Sequence, residues 1–251
     1  MKEPVQHPSN DSPQQGARRP VRSYVLRAGR MTDGQKRALE ELWPVWGIEV
    51  SGGALDLEAL FGDTHPVILE IGFGNGEATW RTARDHPEQN FLGVEVHPPG
   101  VGHLLLALAR ESIRNVRVVC HDAVEFLEQC IPDHSLAGVR LFFPDPWPKK
   151  RHHKRRIIQP AFMQLLARKL RAGAILHMAT DWQPYAEYAL EVMNGSAEFE
   201  NLSQDGRYCE RPGWRPRTKY ERRGERLGHE VSDLLFRRRP LRGSDERWKP
   251  V

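Results

Sequence analysis

Asp145 and Trp147 are the side chains of this chain best placed for chemistry, because three prolines frame them and a block of cations follows them directly. The prolines restrict the backbone on both sides, so the two side chains are presented in defined directions. A carboxylate can accept hydrogen bonds from the edge of a nucleobase, and an indole can stack on its face. The proline-framed part of segment 142–156 is therefore predicted to form the rigid lip of a nucleotide site. Its charge alone is also typical of a loop that only solubilises the surface.

The cations behind this lip greatly outnumber the acids, so the segment repels itself and favours a polyanion beside it. They are Lys149, Lys150, Arg151, Lys154, Arg155 and Arg156. The formal net charge of the whole chain is only +4 over 251 residues, so the basicity is local. Because no amphipathic Lys/Arg-rich helix accompanies the charge, the sequence favours nucleic acid over a membrane surface as the partner.

A second candidate site is the stretch 70–76, where an acid is followed by a glycine at every second position. Glu70 precedes Gly72, Gly74 and Gly76, just before a predicted helix. Glycines there let the backbone turn tightly and let a ligand lie against it, although a simple strand-to-helix turn would use them equally. The spacing differs from the dinucleotide fingerprint, and an acid would repel a pyrophosphate. The stretch therefore predicts a cofactor that has an amino group and no phosphate.

Two further acids extend this prediction to a complete cofactor. Glu95 ends the second predicted strand, where a carboxylate can accept from both hydroxyls of a ribose. Asp122 follows the third strand and can accept from an exocyclic adenine amine, or it can cap the helix that begins after it. Together with Glu70, these acids offer acceptors to the ammonium, ribose and adenine groups of S-adenosylmethionine.

Alternating strands and helices carry these side chains to one edge of a sheet. The pattern after residue 66 predicts strands at 67–71, 91–96, 116–120, 137–143, 174–180, 197–203 and 231–238. It predicts helices at 77–86, 100–113, 122–130, 158–171 and 184–194. This order is typical of a doubly wound, mostly parallel α/β sheet of seven strands with an antiparallel edge hairpin. Ligands of such sheets bind at the carboxyl ends of the strands.

The rest of the chain flanks this core. Residues 1–20 and 240–251 have little to bury and are predicted to be flexible tails, and residues 21–65 form an extension with one helix. The α/β domain spans 66–239. The three cysteines lack CxxC spacing, which predicts reduced thiols, no metal site and a cytoplasmic protein. The longest apolar run is far too short to cross a bilayer.

Five stretches of the sequence are distinctive. They are Glu70-Ile-Gly-Phe-Gly-Asn-Gly, Gly93-Val-Glu-Val-His, Phe142-Phe-Pro-Asp-Pro-Trp-Pro-Lys-Lys-Arg-His-His-Lys-Arg-Arg, Ala179-Thr-Asp-Trp and Arg217-Thr-Lys-Tyr-Glu-Arg-Arg-Gly-Glu-Arg-Leu-Gly-His. Together they resemble the bacterial tRNA (guanine-N7-)-methyltransferase family, from about residue 22 to residue 239. The resemblance implies a Rossmann-like class I methyltransferase fold, S-adenosylmethionine as the cofactor, and a guanine of the tRNA variable loop, at tRNA position 46, as the substrate.

The resemblance also implies a role for each matching residue. Those expected to contact the cofactor are Glu70, Gly72, Gly74, Gly76, Glu95, Asp122 and Asp145. Asp145 is also the expected acid of the catalytic site. Those expected to contact the substrate guanosine are Lys149, Asp181, Thr218, Lys219, Tyr220 and Glu221. Those expected to contact RNA are Lys150, Arg151, His152, His153, Lys154, Arg155 and Arg156.

The sequence departs from the family pattern at a few positions, and some alternatives stay open. Asn75 replaces an apolar residue, Pro98 an arginine, Tyr220 a phenylalanine and Ser232 a tryptophan, so any contact that an arginine at 98 would make is in doubt. Asp181 alone could be a helix cap. The Asp-Pro-Trp-Pro lip is also similar to that of exocyclic-amine methyltransferases of the N6-adenine type, and a non-catalytic RNA-binding protein could keep this scaffold. The protein is expected to be a monomer or a homodimer.

Overall fold

The computed structural model describes residues 22–24, 30–218, 221–222, 228 and 230–240. Apart from Pro240, the predicted tails at 1–20 and 240–251 lie outside these ranges. Within them, no helix is both long enough and apolar enough to cross a membrane.

A seven-stranded sheet organises the fold. Its strands are β1 Val67–Ile71, β2 Asn90–Val94, β3 Val116–Val119, β4 Leu136–Phe142, β5 Leu170–Thr180, β6 Phe199–Asn201 and β7 Ser232–Arg238. They lie in the order β3-β2-β1-β4-β5-β7-β6. Strands β1 to β5 pair in parallel, whereas β7 is antiparallel to both of its neighbours. The predicted doubly wound sheet with an antiparallel edge is therefore confirmed.

Helices connect the strands and cover both faces of the sheet. In the described part of the chain they are α1 Asp33–Glu41, α2 Trp43–Trp46, α3 Leu57–Phe61, α4 Glu77–Asp85, α5 Pro98–Arg110, α6 Ala123–Cys130, α7 Pro160–Lys169 and α8 Gln183–Asn194. A 3₁₀ helix, Lys150–Arg155, follows the proline-rich lip. Two apolar clusters, one with Leu69, Leu141 and Leu176 and one with Leu104 and Val118, fill the layers between sheet and helices. This core fixes the strand ends at which the predicted site residues lie.

Some boundaries differ from the prediction. Strand β5 begins four residues earlier than predicted, because α7 ends at Lys169 and Leu170 already pairs with Leu136. The extension before β1 holds three short helices instead of one. It bends after α2, where Gly47 lies so close to the Trp43 ring that a Cβ would be 2.2 Å from it. The extension also docks on the sheet, since the amide of Ile48 donates to the carbonyl of Val118 at 2.9 Å.

Candidate active site

The loop after β1 is a glycine turn pressed against the start of α5. Gly72, Gly74 and Gly76 have φ angles of 69°, 59° and 74°, in the left-handed region that favours glycine. A Cβ on Gly100 would lie 2.1 Å from the carbonyl oxygen of Gly74, so the loop and α5 meet backbone to backbone. Because Gly100 has no side chain, the carbonyl of Gly74 can pack directly against α5, and this close contact fixes the shape of the loop.

Glu95 holds this loop from the end of β2. Its Oε2 accepts from the amide of Gly74 at 2.9 Å, and its Oε1 accepts from the amides of Val96 and His97 at 2.8 and 3.1 Å. A carboxylate offers about four acceptor positions, so these three bonds leave room for a ligand hydroxyl. The predicted ribose acceptor is thus fixed at the sheet edge.

Two adjoining cavities open at the carboxyl ends of the strands. The first has a volume of about 390 Å³ and the second about 480 Å³, and Gly72, His97 and Phe143 line both. Of the predicted site residues, the first cavity is lined by Gly72, Glu95 and Asp145. The second is lined by Glu70, Gly72, Gly74, Asp181, Thr218 and Glu221. The fold therefore brings together predicted residues that are up to 151 positions apart in the sequence.

Glu70 is a buried acid at the base of the second cavity. Its side chain is 2% exposed, and among the described residues its Oε2 has no hydrogen-bond partner of normal geometry. Burial raises the pKa of Glu70 to about 7, and the facing guanidinium of Arg140 and the nearby hydroxyl of Thr79 only partly oppose the shift. An uncompensated carboxyl oxygen in a dry site is a position for a cationic ligand group.

The lip keeps its shape through two strained residues. Phe143 and Trp147 have φ angles of 53° and 45°, which non-glycine residues rarely adopt. Between them lies Asp145, whose exposed side chain lines the first cavity. Strain of this kind persists only where the surroundings enforce it, and it is common at ligand sites. Each of the two residues precedes a proline, which favours an extended backbone, so these positive φ angles differ from the conformation that the sequence predicted.

The basic run behind the lip presents cations to solvent. Lys149, Lys150, Arg151 and Lys154 are exposed, and Arg155 lies over the Trp147 ring at 4.4 Å from its centroid. His152 and His153 are half-buried in the same 3₁₀ helix. Partial desolvation and then the neighbouring cations lower the pKa of His152, which disfavours an additional positive charge on this surface.

Arg156 is buried and does not belong to this exposed cationic surface, so its contact with RNA stays a prediction. It is 3% exposed, its guanidinium lies over the rings of Tyr185 and Tyr188, and its Nε donates to the carbonyl of Pro146 at 2.9 Å. The Arg156 side chain therefore connects the lip, through Pro146, with α8, through Tyr185 and Tyr188.

Asp122 serves as a helix cap. Its Oδ1 accepts from the amides of Val124 and Glu125 at 2.8 and 3.0 Å, so the cap alternative is confirmed. Its neighbours His121 and Ala123 line the first cavity. The second oxygen of Asp122 remains to serve a ligand or another side chain, and contact with an adenine amine stays a prediction.

Glu221 is fixed by a buried ionic cluster. Arg215, which is 1% exposed, donates from its two terminal nitrogens to the two carboxylate oxygens of Glu221 at 2.8 and 2.9 Å. One of those nitrogens also donates to Asp233 at 2.9 Å, and Asp233 contacts Nε2 of His177 at 2.6 Å. The predicted substrate residue is thus held at the cavity wall by charge pairing that reaches across β7 to β5.

Thr218 lies beside Glu221, since its Oγ1 accepts from the Glu221 amide at 3.2 Å. Asp181 directly follows β5, is exposed and lines the same cavity. Two other predicted substrate residues, Lys219 and Tyr220, lie outside the described residues.

The sequence did not single out the buried polar residues below the site. These are Arg140, His177, Arg215 and Asp233. Burial lowers the pKa of Arg140 to about 10 and also lowers the pKa of His177, so His177 is neutral at pH 7. Arg140, His177 and Asp233 had a sequence signal, because a charged or titratable side chain inside an apolar strand is unusual, whereas Arg215 had none. In the described part of the chain no group of three metal-binding side chains is present.

Comparison with known proteins gives consistent matches. A family model described as a putative methyltransferase matches residues 64–234. A tRNA (guanine-N(7)-)-methyltransferase from Stutzerimonas stutzeri strain A1501 is 56% identical over 233 residues, which cover 93% of this chain and 98% of that protein. A protein of the same name from Sodalis glossinidius is 58% identical over 220 residues, which cover 88% of this chain and 92% of its own.

Solved structures match the fold at low sequence identity. The 16S rRNA methyltransferase KamB has a TM-score of 0.56 and 18% identity, with 74% of this chain and 95% of that chain covered. The antibiotic-resistance methyltransferase Kmr has a TM-score of 0.52 and 18% identity, with 74% and 92% covered. These matches support the architecture described above.

Proposed function

The chain belongs to the tRNA (guanine-N(7)-)-methyltransferase family, as its motifs predicted, and we propose that it methylates N7 of a guanine in the tRNA variable loop. S-adenosylmethionine is the methyl donor. The observation that carries the proposal is a buried carboxyl oxygen of Glu70, which has no hydrogen-bond partner among the described residues and lines a cavity beside the glycine loop. This position suits a ligand that has an ammonium group and no phosphate near the loop.

The other residues of the two cavities fit the rest of the cofactor. Glu95 at the first cavity can accept from ribose hydroxyls while it still holds the glycine loop. Glu70 lines the second cavity, so the methionine part would point toward Asp181 and Glu221. The guanine would enter between the lip and these two acids.

Transfer to N7 requires positioning rather than proton removal, because N7 has an in-plane lone pair and no proton at neutral pH. The cofactor supplies an electrophilic methyl group on a sulfonium, which becomes a neutral thioether as the positive charge passes to the guanine. We assign to Asp145 and Asp181 the electrostatic stabilisation of that charge and the orientation of the base edge. Glu221, held by Arg215, and Thr218 would fix the base from the other wall.

The exposed cations Lys149, Lys150, Arg151 and Lys154 would hold the tRNA phosphates next to the lip. Since tRNA is the proposed substrate, the cytoplasm is the proposed compartment. Whether the protein is a monomer or a homodimer stays a prediction.

The test is a tRNA in which 7-deazaguanine replaces the variable-loop guanine. This substitution keeps the Watson–Crick edge, the ring and every phosphate, and it removes only the lone pair of N7. We expect the deaza tRNA to compete with natural tRNA at nearly equal affinity and to accept no labelled methyl group, because binding and transfer use different atoms.

The control is the natural tRNA assembled by the same ligation, which must accept one methyl group. Methylation of the deaza tRNA would identify another acceptor atom and would favour an exocyclic amine. Loss of binding would show that N7 is recognised before transfer, in conflict with the roles given to Asp145 and Asp181.

A further inference from the structure

Residues 22–24 lie at the first cavity, which Ser23 and Tyr24 line, and they contact side chains that are more than 120 positions later in the sequence. The indole Nε1 of Trp147 donates to the carbonyl of Ser23 at 3.1 Å. The Nε of Arg155 donates to the carbonyl of Arg22 at 3.2 Å. Both donors belong to the lip and its basic run. The segment is therefore tied by its backbone to the part of the molecule that faces the proposed substrate.

Tyr24 adds a side chain to that wall. Ser23 and Tyr24 line the first cavity together with Glu95 and Asp145. The phenol of Tyr24 lies near the carboxylate of Asp122, and burial followed by the charge of Asp122 raises the pKa of Tyr24, which keeps its hydroxyl protonated and able to donate. An aromatic ring and a protonated hydroxyl thus lie near Asp122, an acid whose observed hydrogen bonds cap α6 through one of its two oxygens.

We propose that Tyr24 is a further cofactor-binding residue, which contacts the adenosine half of S-adenosylmethionine and orients Asp122 toward the adenine amine. The inference rests on the proposed function, because it takes the two cavities as the cofactor site. It adds a residue from outside the α/β domain. It also assigns Tyr24 to the adenosine half of the ligand, since Tyr24 lines the first cavity together with Glu95, whereas Glu70 lines the second cavity.

This assignment is tested by measuring the affinity of two ligands. S-adenosylhomocysteine contains both halves, whereas 5′-methylthioadenosine keeps the adenosine and lacks the amino acid. Tyr24→Ala should weaken both ligands by the same factor, about fivefold or more, because an aromatic contact to a nucleoside is lost in each. Tyr24→Phe should weaken both by about two- to tenfold, the scale of one hydrogen bond.

Two variants serve as controls in the same calorimetric titrations. Glu70→Gln should weaken S-adenosylhomocysteine alone, because only that ligand carries the ammonium group. Tyr208→Phe removes a hydroxyl that contacts Gln183, away from both cavities, and should change neither affinity. Wild-type protein that binds neither ligand would contradict the proposed function itself, which separates the two failures.

The proposal is overturned if Tyr24→Ala binds both ligands like the wild type, even where it lowers tRNA affinity, since Tyr24 would then belong to the RNA surface. It is also overturned if the loss appears for S-adenosylhomocysteine only, because the contact would then be to the amino acid half. If Tyr24→Ala does not fold, Tyr24→Phe decides the question, and wild-type affinity of that variant for both ligands rejects the assignment.

Discussion

The affinity for the cofactor should depend on pH through Glu70. In the ligand-free protein its carboxyl has a pKa of about 7, because burial disfavours the charge and Arg140 compensates only in part. A ligand ammonium beside it favours the carboxylate and lowers this pKa. Binding therefore requires that Glu70 lose its proton, and the affinity should fall as the pH falls below 7.

The size of the effect follows from the pKa. If the ligand binds only the ionised form, the dissociation constant rises by a factor of one plus ten to the power of the pKa minus the pH. This gives about 16-fold weaker binding at pH 5.5 than at pH 7.0. The α-amino group of the ligand, with a pKa of about 7.7 to 8.0, stays protonated over this window and contributes little.

Calorimetric titration with S-adenosylhomocysteine from pH 5.5 to 7.0 measures this dependence. Glu70→Gln should bind weakly and without the pH trend, since its amide does not titrate. The wild type should bind 5′-methylthioadenosine with a flat profile, which excludes other titrating groups near the adenosine. A constant affinity of the wild type for S-adenosylhomocysteine over the window would refute the reasoning.

The same pKa shift has the opposite effect on the stability of the ligand-free protein. The pKa of Glu70 is raised from 4.5, so its contribution to the free energy of unfolding is fully present below pH 4.5 and is lost as the pH rises through 7. Glu70→Gln should lack that loss in urea unfolding. Ligand affinity and ligand-free stability should therefore move in opposite directions with pH.

Three other predictions concern cations, both buried and exposed. Arg215→Ala should lower the free energy of unfolding by about 3 to 5 kcal/mol in urea titrations, because it leaves Glu221 and Asp233 buried without their cation; a loss below 1 kcal/mol would contradict the cluster. Replacing Lys150, Arg151 and Lys154 by Ala should lower tRNA affinity and flatten its salt dependence by up to about 0.9 log units per contact. Arg156→Ala should instead lower the free energy of unfolding and leave the salt dependence of tRNA affinity unchanged. An equal decrease in that salt dependence would show that Arg156 contacts RNA phosphates.

The sequence predicted the sheet and several of the acids that line the cavities because these features depend on local pattern and on topology. Glu70, Glu95 and Asp145 follow or end parallel strands, and the carboxyl ends of such strands meet at one edge. The glycine loop was visible from spacing alone. No long-range contact had to be known to place these residues together.

The features that the sequence did not reveal all depend on contacts between distant segments. In the sequence, Arg156 is the last residue of a cationic run. Its burial results from contacts of its guanidinium with Tyr185 and Tyr188 of α8, which the sequence does not show. Arg215 lies in a basic stretch, and only the pairing of β7 with β5 brings Asp233 into its reach. Tyr24 precedes its cavity partners by about a hundred residues. Side-chain charge in a sequence therefore does not distinguish a surface cation from a buried one.

The buried charges have a common relation to the proposed chemistry. Arg140 faces Glu70, and Arg215 holds Glu221, so two of the three carboxylates that line the second cavity have a buried cation next to them. Such groups cannot reorient freely in a packed interior, which keeps their fields directed at the cavity before a ligand arrives. The two acids differ in how fully they are hydrogen-bonded. Both carboxylate oxygens of Glu221 accept from Arg215, whereas one oxygen of Glu70 has no partner among the described residues. Glu70 is therefore the acid that should respond to a ligand, and Glu221 the one that should stay fixed.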